Sequence, residues 1–247
     1  MRRIWLISDL QVPFHDVRAV DAVAQCITDL KRADDIVVTV GDEQDFQTIS
    51  RWAQGTALEW ERSIGNDRDT TVQVLRDLQV QHMIRSNHTD RLYHSVMKRL
   101  PGLLGLPELE LENFWRLPEL GIQFHKHGYR IPKTDWIVLH GDEAGTSQVA
   151  GQTAAGLVRK VGLSVACGHT HRLGLQPYTT SVGGKLTRTL WGMEVGNLMD
   201  MSKATYAKTH NWQQGFAVLY QDGSRTTPVP IPIINRSFVI EGEQYTW

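Results

Sequence analysis

Two histidines separated by one residue, His169 and His171, directly follow a short apolar run in this sequence. The run, residues 163–167, is predicted to be a buried strand that ends at Gly168. Side chains at a strand end commonly face a crevice and carry function. Two neutral imidazoles in such a place suit a divalent metal ion. The pair alone is only a modest signal, because exposed or hydrogen-bonded histidines are common.

Four other apolar runs also end in residues that can bind a metal. These residues are Asp9, Asp42, Asn87 with His88, and His140. The mixed nitrogen and oxygen donors favour manganese, iron, zinc or nickel over magnesium and calcium. Two divalent ions about 3.5–4 Å apart also need a bridging carboxylate, which this set contains. We therefore expect two divalent metal ions, with manganese first and iron, zinc or nickel as alternatives.

The elements that must position these residues alternate between strands and helices. Strands are predicted at 4–7, 36–40, 80–84, 122–124, 136–139, 163–167, 187–191 and 216–220, with an edge strand or extended arm at 228–234 and a final strand at 238–247. Helical periodicity predicts helices at 17–30, 46–62, 69–78, 90–100 and 147–161. This alternation is typical of a parallel sheet, whose functional residues gather at the carboxyl edge.

The length of 247 residues and the net charge of -1 suit one α/β domain with no general attraction to nucleic acid or membrane. We expect a single domain, 1–247, in which 101–121 is an insertion beside the site. The apolar runs are too short to span a bilayer, so no membrane partner is expected. Cys26 and Cys167 imply no disulfide framework, which favours the cytoplasm.

Five motifs between residues 9 and 171 follow one another in the order found in a known family. They are Asp9-Leu10-Gln11, Gly41-Asp42-Glu43-Gln44-Asp45, Ser86-Asn87-His88-Thr89, His140 and Gly168-His169-Thr170-His171. They resemble the D-x-H, G-D-x-x-D, G-N-H-D or -E, lone H and G-H-x-H motifs of the calcineurin-like metallophosphoesterases. Residues 8–16, 86–92 and 211–216 also resemble phage-encoded members. The resemblance implies an α/β fold, a four-layer αββα sandwich with two mixed β-sheets.

The same resemblance implies a role for each matched residue. Asp9, Gln11 and His171 would hold the first metal, Asp42 would bridge, and Asn87, His140 and His169 would hold the second. His88 would be the catalytic residue that faces the substrate, and a metal-activated hydroxide would be the nucleophile. Arg91 is close enough in sequence to contact a phosphate oxygen.

Two positions depart from the family pattern. Gln11 stands where the family has histidine, and its amide oxygen is a weaker ligand, so His15 is an alternative. Thr89 stands where the family has the acid that orients the catalytic histidine, and Asp90 is the nearest replacement. Asp45 is expected to be structural, capping the helix that follows it.

Three functions are compatible with these residues. The first is a metal-dependent phosphodiesterase acting on nucleotides or nucleic acid. The second is a phosphomonoesterase, and the third is a binding scaffold with a weakened metal site. The tryptophans Trp52, Trp60, Trp115 and Trp212 are expected in the core, with base stacking by one of them as the alternative. The oligomeric state stays open, and a homodimer is one option.

Overall fold

Most of the apolar runs form strands in the computed structural model, which describes residues 1–204 and 209–247. The strands are β1 (Arg2–Ile7), β2 (Ile36–Thr39), β3 (His82–Ile84), β4 (Gln123–His125), β5 (Tyr129–Arg130), β6 (Trp136–Leu139), β7 (Ser164–Cys167), β8 (Leu173–Val182), β9 (Lys185–Val195), β10 (Gly215–Asp222), β11 (Arg225–Pro232), β12 (Ser237–Ile240) and β13 (Glu243–Thr246). The α-helices are α1 (Val17–Leu30), α2 (Ile64–Asp77), α3 (Thr89–Arg99), α4 (Leu111–Phe114), α5 (Leu117–Leu120) and α6 (Gln152–Val161).

The strands make two large mixed sheets. The first has the order β11-β10-β1-β2-β3-β4, in which β1 to β4 are parallel, β10 pairs antiparallel with β1, and β11 pairs antiparallel with β10. The second has the order β5-β6-β7-β9-β8, in which β6, β7 and β9 are parallel and both edge strands are antiparallel. Parallel strands need cover on both faces, which explains their continuous apolar runs.

Alternation along β1 shows how the layers stack. Ile4 and Leu6 point into the core between the two sheets, where Met193 of β9 also lies. Trp5 and Ile7 point to the opposite face, which α1 and α2 cover. All four side chains are completely buried, and each such burial contributes about 1.5–3 kcal/mol.

The outer face of the second sheet is covered by α6. Leu157 and Val158 of this helix pack against Val165 and Cys167 of β7. The layers are therefore helix, sheet, sheet and helix, and the predicted αββα sandwich with two mixed sheets is confirmed. Cys26 and Cys167 are free, buried thiols. Within the described residues, no helix has the length and apolar character needed to cross a bilayer.

The predicted helix over 46–62 is wrong. Only two single turns of 3₁₀ helix form there, Gln47–Ile49 and Ala57–Glu59. Phe46 has a left-handed backbone with φ 56°, which interrupts a right-handed helix. Its ring is buried against Trp115, with the centroids 5.7 Å apart. The apolar residues in this stretch thus have helical spacing but form no α-helix, because the backbone at Phe46 turns left-handed where its ring packs against Trp115.

Two tryptophans expected in the core lie on the surface instead. Trp52 is 70% exposed and Trp60 is 86% exposed. Both belong to the segment that failed to form a helix, so neither has a helix face to bury it. Trp115 is completely buried, as expected.

Several other elements differ from the sequence prediction. Helix α2 begins at Ile64 rather than at residue 69, and β5 and β8 were not predicted as strands. The predicted final strand is a hairpin, β12 and β13, whose two loop residues Glu241 and Gly242 both have positive φ, the conformation favoured by tight hairpin turns. The helix predicted from residue 147 begins only at Gln152, because Gly151 is left-handed with φ 80°. The carboxylate of Glu194 accepts hydrogen bonds from the N–H groups of Gly151 and Thr153, which caps this helix.

Single helical turns fill the segment predicted to be an insertion, 101–121. Trp115 attaches this segment to the loop after β2, because its Nε1–H donates to Gln44 Oε1 at 2.8 Å. The segment thereby packs against the loop that carries Asp42. Its status as an insertion, and the single-domain organisation of 1–247, stay predictions.

We predict that Trp115→Ala lowers the free energy of unfolding by about 3–5 kcal/mol, because it leaves a cavity in a completely buried position. The hydrogen bond to Gln44 is lost as well. Urea unfolding followed by circular dichroism measures this change. Trp60→Ala is the matched control and should change stability by no more than about 0.5 kcal/mol. Equal losses for the two variants would contradict the role given to Trp115.

Candidate metal centre

The carboxyl ends of five parallel strands bring the predicted ligands together. In the first sheet Asp9, Asp42 and Asn87 follow β1, β2 and β3, and in the second His140 and His169 follow β6 and β7. Parallel strands end at the same edge of a sheet. Since the two sheets pack face to face, side chains from both edges meet in one place.

Two groups of side chains at this place have the spacing to hold a cation. One comprises Asp9, Asp42 and His171, and the other comprises Asp42, His140 and His169. Within each group the ligand atoms lie within 4.8 Å of one another. The buried carboxylate of Asp42 belongs to both groups, which is the arrangement that a bridging ligand requires. The carboxylate and imidazole residues assigned by resemblance to each metal thus lie in the same group, and their binding of ions stays a prediction.

The two predicted amide ligands lie beside these groups. Asn87 Oδ1 is 2.9 Å from His140 Nε2, so it adjoins the second group. Gln11 donates from Nε2 to Asp42 Oδ2 at 3.0 Å, and its Oε1 is buried without a hydrogen bond. An unsatisfied buried oxygen is costly, and a cation would satisfy it. His15, the alternative to Gln11, belongs to neither group within the described residues.

The donor atoms are oriented as metal ligands are. His140 donates from Nδ1 to the carbonyl of Val40 at 2.8 Å, which directs Nε2 toward Asp42. Asp9 Oδ2 accepts hydrogen bonds from Ser8 Oγ at 2.5 Å and from the N–H of His169 at 3.0 Å, which leaves Oδ1 without a hydrogen bond. Such outer hydrogen bonds orient metal-binding imidazoles and carboxylates in known sites. The donor set therefore fits divalent cations.

The backbone at the site is strained. Asp9, Gln11, Asp42, His169 and His171 all have positive φ, between 52° and 66°. Non-glycine residues rarely adopt this conformation, and each costs about 1–3 kcal/mol. Such strain persists where the surrounding structure over-determines it, and it concentrates at functional sites. Five strained residues at adjacent strand ends indicate a site built for function.

Two glycines make the close approach of the strand ends possible. A Cβ on Gly41, which has φ 97°, would collide with the ring of His140. A Cβ on Gly168 would collide with Ser8 Oγ. Both motif glycines are thus required where one strand end crosses another.

Asp42 and His140 share a buried charge pair. Burial raises the pKa of the Asp42 carboxyl, but the positive charge of His140, aided by hydrogen bonds, outweighs burial and holds that pKa well below its usual range. Burial lowers the pKa of His140, yet the Asp42 carboxylate raises it to about 10. A proton on His140 therefore balances the buried carboxylate, and a divalent cation would replace that proton.

His88 faces this pair and is neutral at pH 7. Burial lowers its pKa to about 4, and the nearby Asp42 carboxylate opposes this only in part. His88 Nε2 lies 3.7 Å from Asp42 Oδ2 and accepts a hydrogen bond from Arg91 at 2.7 Å. Its Nδ1 lies 3.7 Å from Asp45 Oδ2. The imidazole is thus held between a guanidinium and a carboxylate.

The carboxylate of Asp45 lies beside His88, and the prediction that Asp45 caps a helix is wrong. Asp45 caps no helix, and it accepts from Arg91 at its backbone oxygen, 2.6 Å away. Asp90 pairs instead with Arg85, which also binds Asp142 through two hydrogen bonds. Asp45 is the last residue of the G-D-x-x-D motif, but the sequence alone does not show that its carboxylate lies beside His88.

Trp212 was expected in the core, with base stacking near the site as the alternative, and it is half-buried beside the site. The ring of Trp212 is 4.6 Å from that of His171. Its place after a long β hairpin offered no sequence signal for proximity to the histidine.

We predict that Mn²⁺ stabilises the protein and that Asp42→Asn removes most of this effect, because both groups lose their shared carboxylate. Ligand at a hundred times its Kd adds about 2.7 kcal/mol to the free energy of unfolding. Thermal unfolding with Mn²⁺ and with EDTA measures the difference. Asp135→Asn is the control, since Asp135 precedes β6 at the opposite end of the sheet. A variant Asp42→Asn that keeps the full Mn²⁺ effect would exclude the shared-ligand arrangement.

A second prediction concerns Glu43, which is completely buried beside Asp42. Burial raises the pKa of its carboxyl from 4.5 to about 7. Between these values the folded protein holds a proton that the unfolded chain has released. The Glu43 contribution to the free energy of unfolding therefore falls as pH rises through this window.

Glu43→Gln abolishes that titration. Its stability relative to the wild type should grow by about 2–3 kcal/mol between pH 5 and 8. Urea unfolding with EDTA at both pH values measures this, with the exposed Glu243→Gln as control. A pH-independent difference would show that Glu43 ionises normally.

No protein-family model matches the chain. Among solved structures, Vps29 from Entamoeba histolytica in complex with Zn²⁺ aligns at a TM-score of 0.48 and 17% identity, covering 98% of this chain and 97% of its own. The 5'-nucleotidase precursor from Thermus thermophilus aligns at a TM-score of 0.39 and 12% identity, covering 93% of this chain and 54% of its own. Haemophilus influenzae NAD nucleotidase aligns at a TM-score of 0.44 and 12% identity, covering 99% and 53%.

Two phage proteins are far more similar in sequence. The gene 54 protein of Mycobacterium phage D29 is 34% identical over 98% of this chain and 97% of its own length. The gene 54 protein of Mycobacterium phage L5 is also 34% identical, over the same shares of the two chains. These relatives agree with the resemblance of three sequence stretches to phage-encoded proteins. The chain belongs to the family of the mycobacteriophage gene 54 proteins.

Proposed function

We propose that this protein is a metal-dependent phosphodiesterase that hydrolyses nucleotides or nucleic acid at a dinuclear site. The observation that carries the proposal is the pair of ligand groups that share Asp42, with His88 opposite them. The five motifs that resemble the calcineurin-like metallophosphoesterases support the same chemistry. Divalent ions, when bound, supply Lewis acidity and bring the pKa of water near neutrality.

The proposed ligands divide between the two groups. Asp9, Gln11 and His171 hold the first metal, and Asn87, His140 and His169 hold the second. Asp42 contributes to both. Because imidazole nitrogen and carboxylate oxygen occur together, manganese is the first candidate, with iron, zinc and nickel as alternatives.

His88 handles the proton at the leaving oxygen. It is neutral in the resting site, because burial depresses its pKa to about 4. A phosphodiester anion brings negative charge beside the ring, which favours the imidazolium form. His88 then takes up a proton from solvent at Nε2, in place of the hydrogen bond from Arg91, and transfers it to the departing alkoxide. Asp45, 3.7 Å from Nδ1, stabilises the positive charge meanwhile.

Arg91 steadies the substrate phosphate. Its guanidinium already contacts Asp45 and His88, through three hydrogen bonds. A guanidinium has five N–H donors, so donors remain for a phosphate oxygen. The side chain is 23% exposed, which leaves it accessible from the cleft.

We predict that the protein hydrolyses bis-p-nitrophenyl phosphate in the presence of Mn²⁺. His88→Ala should lower kcat by about 10²–10⁴-fold, the usual contribution of a general acid. Asp42→Ala should abolish turnover, because both metals lose a ligand. Absorbance at the nitrophenolate band follows the reaction.

His127→Ala is the matched control, because His127 is exposed and remains outside both ligand groups. Turnover of p-nitrophenyl phosphate alone would make the protein a phosphomonoesterase. No turnover of either ester with manganese, nickel, zinc or iron would favour the binding scaffold.

A further inference from the structure

A groove lined by basic residues leads away from the candidate metal centre. Its cavity of about 510 Å³ lies between α3 and the segment that precedes α2. Asn87 and Arg91 line it, so its inner end reaches the site that holds His88. Any substrate that is longer than the scissile phosphate and its two ester groups can extend along this groove.

The charges in the groove have one sign. Its charged lining residues are Arg51, Arg91, Lys98 and Arg99, and no acidic residue is among its described lining residues. Arg91 pairs with Asp45, and Arg99 pairs with Glu59.

Arg51 and Lys98 have no ion pair within the described part of the chain, and both are exposed. Since the chain as a whole has a net charge of -1, this patch is a local concentration of positive charge. Such a patch attracts a polyanion.

The spacing along α3 arranges the groove as a track. Arg91, His94 and Lys98 are separated by three and four residues, which places them on one helix face. Seven residues of helix span about 10 Å. A mononucleotide held at the metal centre would leave the outer end, at Lys98, without a partner. A strand with further phosphates would occupy both ends.

Trp52 supplies a surface for a base. Its side chain is 70% exposed, which is unusual for so large an apolar group. The guanidinium of Arg51 lies 4.6 Å from the centroid of its ring, so it covers one face by a cation–π contact. The ring retains a second face. Aromatic platforms beside a basic groove are the combination that binds single-stranded nucleic acid without reading its sequence.

We propose that this groove binds a single-stranded nucleic acid whose scissile phosphate lies at the metal centre. Lys98 and Arg51 neutralise phosphates beyond that bond, and Trp52 stacks on an unpaired base. This inference rests on the proposed phosphodiesterase function and names its substrate as a polynucleotide strand rather than a small nucleotide.

Binding can be tested apart from catalysis. The probe is a fluorescein-labelled oligo(dT) of twelve nucleotides, titrated in EDTA and followed by fluorescence anisotropy at several salt concentrations. We expect the double variant Arg51→Ala/Lys98→Ala to bind at least about tenfold more weakly. Removing one cation that neutralises a phosphate of a single strand reduces the salt slope by about 0.7, so the slope should fall by about 1.4 for two.

Trp52→Ala should weaken binding about 5- to 150-fold, the range for the loss of one stacked base, and leave the salt slope unchanged. The matched controls are Lys160→Ala/Arg225→Ala, which removes two exposed charges outside the groove, and Trp60→Ala, which removes an exposed indole outside it. Circular dichroism and the urea midpoint verify that each variant is folded. Titration with an oligo(U) of the same length shows whether the groove prefers RNA or DNA. Groove-dependent binding of either strand supports the proposal.

The inference is overturned if the groove variants bind like their controls. It is also overturned if a duplex binds as tightly as the single strand and Trp52→Ala has no effect. The wild-type rate with bis-p-nitrophenyl phosphate tests the proposed function separately. Turnover of that ester without groove-dependent binding would support the phosphodiesterase and overturn the binding of a single strand in the groove. Groove-dependent binding without turnover would support a nucleic-acid groove and overturn the proposed phosphodiesterase.

Discussion

The burial of the Asp42 carboxylate among its charged and hydrogen-bonding partners is the constraint on which the rest of this structure depends. Asp42 lies at the end of a central strand, almost inaccessible to water. Its N–H donates to Ser86 Oγ at 3.1 Å, and its oxygens face the imidazole of His140 and the amide of Gln11. A buried anion is tolerated only where opposite charge and hydrogen bonds surround it. Both sheets supply these partners, so their packing and the charge balance of the site depend on each other.

The strained strand ends follow from the same constraint. A strand that simply continued would carry its side chains alternately to the two faces of the sheet. A left-handed backbone at Asp9, Asp42, His169 and His171 breaks this alternation at the residues that belong to the ligand groups. The hydrophobic layers beneath offset this strain, because the core residues of β1 and its neighbours bury the strands that lead to it. The sandwich thus supplies the stability that the geometry of the site requires.

The loops after β2 and β3 connect the site to its surroundings. Gln44 accepts from Trp115, which anchors the single-turn segment 101–121 to the loop that contains Asp42. Arg91, on the first turn of α3, joins His88 to Asp45 and also lines the basic groove. One helix therefore participates in both proposed roles, the handling of the proton at the metal centre and the contact with a strand outside it. A substitution on α3 is therefore expected to affect both the candidate metal centre and the basic groove.

The sequence by itself determined most of the strands and the residue types at their ends, whereas β5 and β8 were not predicted. Continuous apolar runs predict buried strands because burial on both faces leaves no polar positions, and α1 was predicted with the same bounds as observed. The motif order then implied the αββα sandwich. Only the tertiary structure decided which acid approaches His88, that 46–62 is not a helix, and that Trp52 lies exposed beside a basic groove. Local periodicity reports burial along one element, whereas these features arise from contacts between elements distant in sequence, such as Phe46 with Trp115 and Arg91 with Asp45.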